Sequence, residues 1–166
     1  MILDGALQFT GTAGTVSNDS PTTGTQQSTN VIDLVNARDM GIGDDPALKL
    51  MVEILTTFTG GTSLQLQLQG APDNGSGSPG SYTTMWDSGA IAEASLLAGR
   101  YLANIDMPRT ILALPNTGAS AAQALPRFLR LQYITVGTHG AGAIYGSIVL
   151  DRQDYVAYPA GITISN

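Results

Sequence analysis

The 166-residue chain contains no cysteine, only one histidine and few charged side chains. Without cysteine, neither a disulfide framework nor a thiolate metal site can form, and metal binding is left to carboxylates and His139. Charged residues make up 12% of the chain, its net charge is −6, and its seven lysines and arginines are scattered singly. Because a nucleic-acid-binding surface needs clustered basic residues to neutralise phosphates, this composition argues against nucleic acid as a partner.

Long apolar runs are also missing, and none approaches the roughly 18 residues of a membrane-spanning helix. The N-terminal segment is apolar, but it has neither a basic start nor a cleavage motif, so we expect a soluble protein that is not exported. Hydrophobic residues nevertheless make up 43% of the sequence, which suffices for one domain with a sizeable core.

Alternation of apolar and polar residues is the main pattern in the chain. Side chains two positions apart lie on one face of a β-strand, so such alternation predicts strands with one buried face. The clearest case is residues 63–69, where three leucines alternate with three glutamines. Residues 93–99 fit either a short helical turn or a plain connection. The other strands predicted from this pattern cover residues 28–34, 47–56, 82–91 and 100–107.

The segment 127–151 predicts a β-hairpin. In its first half Leu129, Leu131 and Tyr133 alternate with polar residues, and the second half alternates again. The sequence GTHGAG between the two halves supplies the glycines that a reversal with positive φ requires. His139 is therefore expected at the tip of the hairpin, exposed to solvent.

The pattern as a whole predicts an all-β fold. About eight strands separated by Gly, Pro, Ser and Asp turns favour an antiparallel two-sheet β-sandwich, as a jelly roll rather than an immunoglobulin-like domain. Residues 1–27 are rich in Gly, Thr and Ser and predict an extended N-terminal arm. The sandwich is expected over residues 28–151, and residues 152–166 would form a C-terminal tail.

No constellation of catalytic residues is recognisable in the sequence. A nucleophilic mechanism needs a base, and the motif around His139 contains no carboxylate. The chain also lacks a glycine-rich phosphate-binding loop after any predicted strand. We therefore expect a protein that is not an enzyme, with no catalytic residue and no cofactor.

Two aspartate-containing loops are candidates for a calcium site. Asp39, Asp44 and Asp45 share one loop, but their spacing fits a solvated turn better than a calcium-binding loop. Asp73 and Asn74 lie in the segment PDNGSGSPG, whose composition predicts a turn. The sequence therefore predicts no metal site.

Several positions are candidates for contact with another protein. They comprise the apolar tip of the arm, the apolar residues on the outer face of the strand at 47–56, the glutamine face, and the tyrosines of the tail. Uncharged glutamines along a strand suit a surface that a partner covers, although solvation is the commoner reason for them. We expect a closed homo-oligomer, with a dimer as the commonest form. The candidates are Ile2, Leu3, Leu7, Phe9, Met51, Leu55, Gln65, Gln67, Gln69, Tyr155 and Tyr158.

The chain contains, in this order, the segments MILD, STNVIDL, RDMGIGDDPALKLMV, TTFTGGTSLQLQLQ and FLRLQYITVGTHGAGAIYGSIVLD. As an ordered set they resemble the jelly-roll capsid cement proteins of tailed bacteriophages. The resemblance implies a non-enzymatic virion protein on the outer surface of an icosahedral head, made in the bacterial host cytoplasm. Such a protein clamps adjacent major capsid subunits and stabilises the shell, so its partners would be the major capsid protein and itself, with no nucleic acid and no membrane.

Two other classes of function remain open at this point. A carbohydrate-binding jelly-roll module for adhesion to a host surface would share the sandwich fold. It would need clustered aromatic side chains, whereas the single Trp and the six Tyr are dispersed along this chain. A small hydrolase is the third possibility.

Overall fold

The computed structural model describes residues 5–11, 18–36, 48–108 and 125–150 of the chain. These residues form six strands and two short 3-10 turns, and no α-helix occurs among them. Every pairing between strands is antiparallel, so the predicted all-β, antiparallel class is confirmed. The strands are β1 (Thr23–Gln27), β2 (Ile32–Asp33), β3 (Leu48–Ala71), β4 (Thr83–Ala92), β5 (Tyr101–Asp106) and β6 (Phe128–Leu150), and the 3-10 turns are Gly5–Leu7 and Glu93–Ser95.

The six strands belong to one connected sheet in the order β1-β6-β3-β4, with β2 also paired to β6 and β5 also paired to β3. The two long strands, β3 and β6, pair with each other along almost their whole lengths. The first half of β3 pairs on its other side with β5, and the second half pairs with β4. The first half of β6 pairs with β1 and β2. The long pair is therefore the centre of the fold.

The hairpin predicted at 127–151 is wrong. β6 is a single strand of 23 residues, and the sequence GTHGAG lies in its middle. The segments 48–56 and 63–69 likewise belong to one strand of 24 residues, Leu48–Ala71, in which TGGT causes no reversal. The register between the two strands shifts repeatedly between residues 54 and 63 of β3. The glycines of both strands therefore lie at β-bulges and not at chain reversals.

These bulges bend β3 and β6 so that the two halves of each strand face each other. In a straight strand Leu131 and Gly146 would be about 50 Å apart. A Cβ atom added to Gly146 would instead lie 2.7 Å from Leu131 Cδ1 and 3.6 Å from Val52 Cγ2. The sheet therefore folds back over itself. Because the described strands remain hydrogen-bonded into one sheet, the jelly-roll arrangement of two sheets stays a prediction.

The main core lies between the facing halves. The predicted alternation in β3 is confirmed, since Leu64, Leu66 and Leu68 are fully buried while Gln65 and Gln67 are partly exposed. Apolar residues of the other half of β3 belong to the same core. Leu129 and Leu131 contribute from β6, again as the alternation predicts.

The described residues of the predicted N-terminal arm pack against the sheet. The Phe9 amide donates to the Gly146 carbonyl at 2.9 Å, and the Asn30 amide donates to the Phe9 carbonyl at 2.8 Å. Asp19 and Ile144 exchange two backbone hydrogen bonds of 3.0 and 2.9 Å. No boundary between an arm and a domain is found at residue 27. The predicted tail, 152–166, lies outside the described residues.

The prediction that His139 is exposed at a tip is also wrong. Its side chain is 2% exposed and meets the ring of Phe58 edge-on, with 5.1 Å between the ring centroids. The bend brings Gly61 under the imidazole, where a Cβ atom would lie only 2.2 Å from the ring. The histidine is therefore buried because the facing strand carries a glycine at the point where the two strands bend.

Three local predictions agree with the structure, namely two strands and one turn. β4 and β5 begin and end within one residue of the predicted ranges. In the predicted turn at PDNGSGSPG, Asp73 Oδ1 accepts hydrogen bonds from the amides of Gly75 and Gly77 at 2.8 and 3.0 Å. Asn74 Oδ1 accepts one from the Ser76 amide at 2.9 Å. The loop with Asp39, Asp44 and Asp45 lies outside the described residues.

Candidate protein interface

The structure brings together only some of the predicted interface residues. Phe9 and Met51 are wrong as interface residues, because they are 0% and 2% exposed. Phe9 belongs to the main core, and Met51 packs with Tyr145 and Val149 in a second, smaller buried cluster. Alternation places Met51 on the outer face of its strand but does not show that this part of the sheet is buried on both faces.

The remaining candidates are dispersed. Leu7 is partly buried against the core, and Leu55 is 42% exposed. Gln65 and Gln67 are partly exposed, and Gln69 is buried beside them. The other candidates, Ile2, Leu3, Tyr155 and Tyr158, lie outside the described residues.

The three glutamines of β3 are part of a larger polar surface, which we call the amide face. It is the outer face of the sheet where β6, β3 and β4 lie side by side. Gln67 pairs in register with Gln132 on one side and Asp87 on the other, and the next row consists of Arg130, Gln69 and Thr84. The amide face therefore consists of Gln65, Gln67, Gln69, Thr84, Asp87, Arg130 and Gln132.

A continuous chain of hydrogen bonds crosses the amide face. Arg130 Nε donates to Gln69 Oε1 at 2.9 Å, Gln69 Nε2 donates to Gln67 Oε1 at 3.2 Å, and Gln67 Nε2 donates to Asp87 Oδ2 at 2.8 Å. Gln65 Nε2 also donates to both oxygens of Asp87, at 2.9 and 2.7 Å. A side branch runs from Gln69 Nε2 to Gln132 Oε1 at 2.6 Å.

The residues at the two ends of this hydrogen-bond chain determine which group donates and which accepts in each hydrogen bond. A guanidinium group can only donate hydrogen bonds, and an ionised carboxylate can only accept them. Gln69 must therefore turn its oxygen toward Arg130, and Gln67 must turn its nitrogen toward Asp87. The amide face thus has a fixed cation at one end and a fixed anion at the other, with uncharged amides aligned between them.

The two charged groups at the ends of this hydrogen-bond chain, Arg130 and Asp87, contact uncharged groups. Hydrogen bonds from Gln67, from the Gly89 amide and from Gln65 keep the pKa of Asp87 below its ordinary value, so the carboxylate is ionised at neutral pH. The guanidinium of Arg130 stacks on the Tyr82 ring, 3.7 Å from its centroid. Burial lowers the pKa of Arg130, but an arginine remains cationic. In the described part of the chain, neither charge belongs to an ion pair.

Arg127 differs in this respect, since it is paired with two carboxylates. It makes a bidentate ion pair with Asp33, at 2.8 and 2.9 Å, and a further ion pair with Asp73. These contacts lower the pKa of both aspartates, with the Gly75 amide as the largest cause at Asp73. The cluster joins β2 to the turn after β3, so its role is structural.

A polar cavity of about 310 Å³ lies beside β1. Its carboxylate, Asp19, accepts hydrogen bonds from the Gly11 amide, from the amide and hydroxyl of Thr29, and from the Tyr133 hydroxyl. Because four donors of the chain itself surround this carboxylate, it stabilises the fold and is not directed at a ligand. The cavity is lined by Asn18, Asp19, Ser20, Pro21, Gln26, Gln27, Thr29 and Tyr133.

Over residues 5–11, 18–36, 48–108 and 125–150, no three His, Asp or Glu side chains cluster as metal ligands would. None of the helices in these ranges is long and apolar enough to cross a bilayer.

A protein-family model described as Bbp16 matches residues 16–148 of the chain. The match begins before β1 and ends within β6, so it includes residues of every described strand. No curated protein matches the chain.

Proposed function

The chain belongs to the Bbp16 family, and we propose that it is a non-enzymatic capsid cement protein of a tailed bacteriophage. In this role it binds the outer surface of an icosahedral head and clamps adjacent major capsid subunits. The clamp stabilises the shell against the pressure of the packaged DNA. The protein is made in the host cytoplasm and ends on the outer capsid surface of the virion.

The amide face is the observation that carries this proposal. Its side chains hold one another by hydrogen bonds, so covering them costs little additional side-chain entropy. Amides offer donors and acceptors without the desolvation cost of a charge. A surface of this kind suits contact with another protein better than it suits catalysis.

Exposed apolar side chains support attachment outside the amide face. Leu55 and Leu97 are 42% and 47% exposed. They lie on neighbouring segments, because the Ile54 amide donates to the Arg100 carbonyl and the Phe58 amide donates to the Leu96 carbonyl. Exposed leucines on neighbouring segments provide apolar area for a partner, and we assign the contact with the capsid to this part of the surface.

The jelly-roll architecture is part of the proposal. The facing halves of β3 and β6 would form the two layers of the sandwich. The contact between Leu131 and Gly146 and the shared core of both halves support this arrangement.

Sugar binding, the alternative for a jelly-roll module, finds little support in the described residues. Such a site uses exposed aromatic rings. Trp86 packs against the core, and the Tyr82 ring is covered by Arg130.

Heating of phage heads tests the proposal. A chain that touches two capsid subunits makes its second contact intramolecularly, so modest contacts add to strong attachment. Heads that carry the protein should survive heating that bursts heads lacking it.

Salt tests the nature of the attachment. Apolar burial and amide hydrogen bonds are screened little by ions, so raising salt from about 0.1 to about 1 M should strip few copies from the heads. Equal heat resistance of heads with and without the protein would contradict the proposed function. Wholesale release in salt would show that ion pairs carry the attachment.

A further inference from the structure

We propose that the polar cavity beside β1, which Asp19, Gln27 and Tyr133 help to line, receives an arginine side chain of a major capsid subunit. This inference rests on the proposed function and deepens it, because it names the chemical group that one capsid subunit presents to the chain. The exposed leucines, Leu55 and Leu97, then make the other contact of the clamp.

The cavity carries a negative charge that no cation of the described residues neutralises. Asp19 is 7% exposed, and its two oxygens accept four hydrogen bonds, two from amides and two from hydroxyls. A carboxyl group that accepts at both oxygens is ionised. All four donors are uncharged, and none of the ion pairs within the described ranges includes Asp19. Because protein atoms screen a charge less than water does, the field of this carboxylate attracts a cation into the cavity.

The rim of the cavity offers unused hydrogen-bonding groups. The side chains of Asn18, Ser20 and Gln27 are exposed there and make no hydrogen bond with the residues that the structure describes. Each of them contains an oxygen that can accept from a cation. A guanidinium has five N–H donors in one plane and reaches acceptors on several residues, whereas an ammonium is compact and more strongly hydrated. The distribution of the acceptors therefore favours arginine over lysine.

The size of the cavity suits one long side chain. Its volume of about 310 Å³ lies at the lower end of the range for sites that take small molecules. Pro21 lies in the wall and provides apolar surface for the methylene stem of an arginine. The net charge of −6 on the whole chain also favours a cationic group.

The cavity and the exposed leucines lie at opposite edges of one half of the sheet. Ile54 pairs in register with Ile144, and Ile144 forms a bridge with Asp19. On its other side, the Ile54 amide donates to the carbonyl of Arg100, in the segment that follows Leu97. Three spacings of about 4.8 Å between neighbouring backbones place Asp19 about 14 Å from this segment. One capsid subunit would thus contact the leucines while its neighbour inserts an arginine at the opposite edge.

An inserted arginine is consistent with the expected resistance of the attachment to salt. The guanidinium would be surrounded by protein atoms, so ions screen this contact less than they screen an exposed ion pair. The apolar contact at the leucines does not depend on charge.

Titration of the isotope-labelled full chain with small guanidinium compounds tests the cavity directly. The probe is N-acetyl-arginine methylamide, and N-acetyl-citrulline methylamide is the uncharged control of nearly the same shape. The arginine probe should shift the NMR signals of the Asn18 and Gln27 side-chain amides with a Kd on the order of 1 mM, because a single side chain makes few contacts. The citrulline probe should bind about tenfold more weakly or less, because it lacks the charge that Asp19 attracts.

Two further probes separate arginine from other cations. The corresponding lysine compound should bind about threefold more weakly than the arginine probe. Calcium ions should leave the same signals unshifted, because the oxygens of Asp19 already accept four hydrogen bonds. Calcium binding as tight as that of the arginine probe would overturn the assignment to a guanidinium.

A matched pair of variants at Gln27 tests the role of charge in the cavity. Gln27→Lys supplies a cation from the chain itself and should weaken binding of the arginine probe about tenfold or more. Gln27→Met has a similar length and no charge, so it should weaken binding by about threefold at most. Gln27 is an exposed residue of the edge strand β1, so both variants should fold. Asp19→Asn is avoided because it would place an NH2 group against hydrogen-bond donors.

Binding of the same variants to phage heads tests the capsid as the source of the arginine. Gln27→Lys should weaken attachment to heads more than Gln27→Met does. Equal affinities for the arginine and citrulline probes, or unshifted signals at about 20 mM arginine probe, would overturn the cavity as an arginine site. Equal attachment of both variants and the wild type to heads would overturn the capsid as its partner.

The probe titration is independent of the proposed function. If the arginine probe binds as described but heads with and without the protein resist heat equally, the cement role fails and the cavity stands as a guanidinium site. If heads are stabilised but the arginine and citrulline probes bind alike, the cement role stands and the inference about the cavity fails.

Discussion

Tyr133 illustrates how one buried residue joins the N-terminal part of the chain to β6. Its hydroxyl donates to Asp19 Oδ2 at 2.9 Å, and the two residues are only 1% and 7% exposed. Burial, followed by the charge of Asp19, raises the pKa of Tyr133 well above its ordinary value of 10.0. The folded state thus binds this proton more tightly than the unfolded chain does. The resulting stabilisation is complete below pH 10 and is lost as the pH rises above it.

Tyr133→Phe should therefore have an effect that depends on pH. Near neutral pH we expect the free energy of unfolding to fall by about 1.5 kcal/mol, because the buried carboxylate loses one of its donors. Above pH 10 the wild type also loses this contribution, so the difference between the two proteins should shrink. Urea denaturation at about pH 7 and about pH 11 measures both values. A difference that is the same at both pH values would show that the Tyr133 proton is not linked to folding.

At the scale of the strand, the bend in β3 and β6 depends on close contacts that only glycine allows. Gly142 has a φ of 147°, and a Cβ atom there would lie 2.2 Å from Phe58 Cδ1. Phe58 is itself 1% exposed and packs against His139, so it has little room to move. The bend is therefore specified by contacts between facing strands and not by a turn.

Gly142→Ala should destabilise the protein by about 2 kcal/mol or more, because the new methyl group meets a fixed ring and the backbone conformation is unfavourable for alanine. Gly140 is the matched control in the same bend. Its nearest neighbour would be Thr59 O, 3.9 Å from an added Cβ, so Gly140→Ala should change stability by less than about 0.5 kcal/mol. Thermal unfolding followed by circular dichroism compares the two. Equal melting temperatures would contradict the role of Gly142 in the bend.

At the scale of the whole molecule, the described N-terminal residues, 5–11 and 18–27, are part of the fold. Phe9 is fully buried in the main core, and its backbone bonds both β6 and Asn30. Gln8 forms a further bridge with Ser147. Phe9 therefore packs in the protein's own core, whereas the sequence pattern predicted a contact with another protein.

Phe9→Ala should lower the free energy of unfolding by about 3–5 kcal/mol, as expected for a buried phenylalanine. Phe9→Leu retains most of the apolar volume and should cost about 1 kcal/mol. Urea denaturation gives both values, and binding to heads should weaken only as far as the folded fraction falls. If Phe9→Ala remained as stable as the wild type but no longer bound heads, Phe9 would contact the capsid instead of the core.

The sequence by itself determined the local features of this protein. The all-β class, the buried leucines of β3 and the turn at Asp73 were all predictable, because each depends on residues only a few positions apart. The amide face was predictable in part, since the glutamines of β3 occupy alternate positions and therefore lie on one face of the strand. Its partners Arg130, Asp87 and Gln132 were not, because register between strands is decided by the whole sheet.

Only the tertiary structure decided which segments meet. The sequence GTHGAG is compatible with a reversal and with a bend. The strand bends at this segment because β3 carries its own glycines opposite this part of β6. The same holds for Phe9 and Met51, whose burial depends on segments distant in the chain. Alternation shows which side chains share a face of a strand. What covers that face is a property of the folded chain, since burial arises from contacts between residues far apart in sequence.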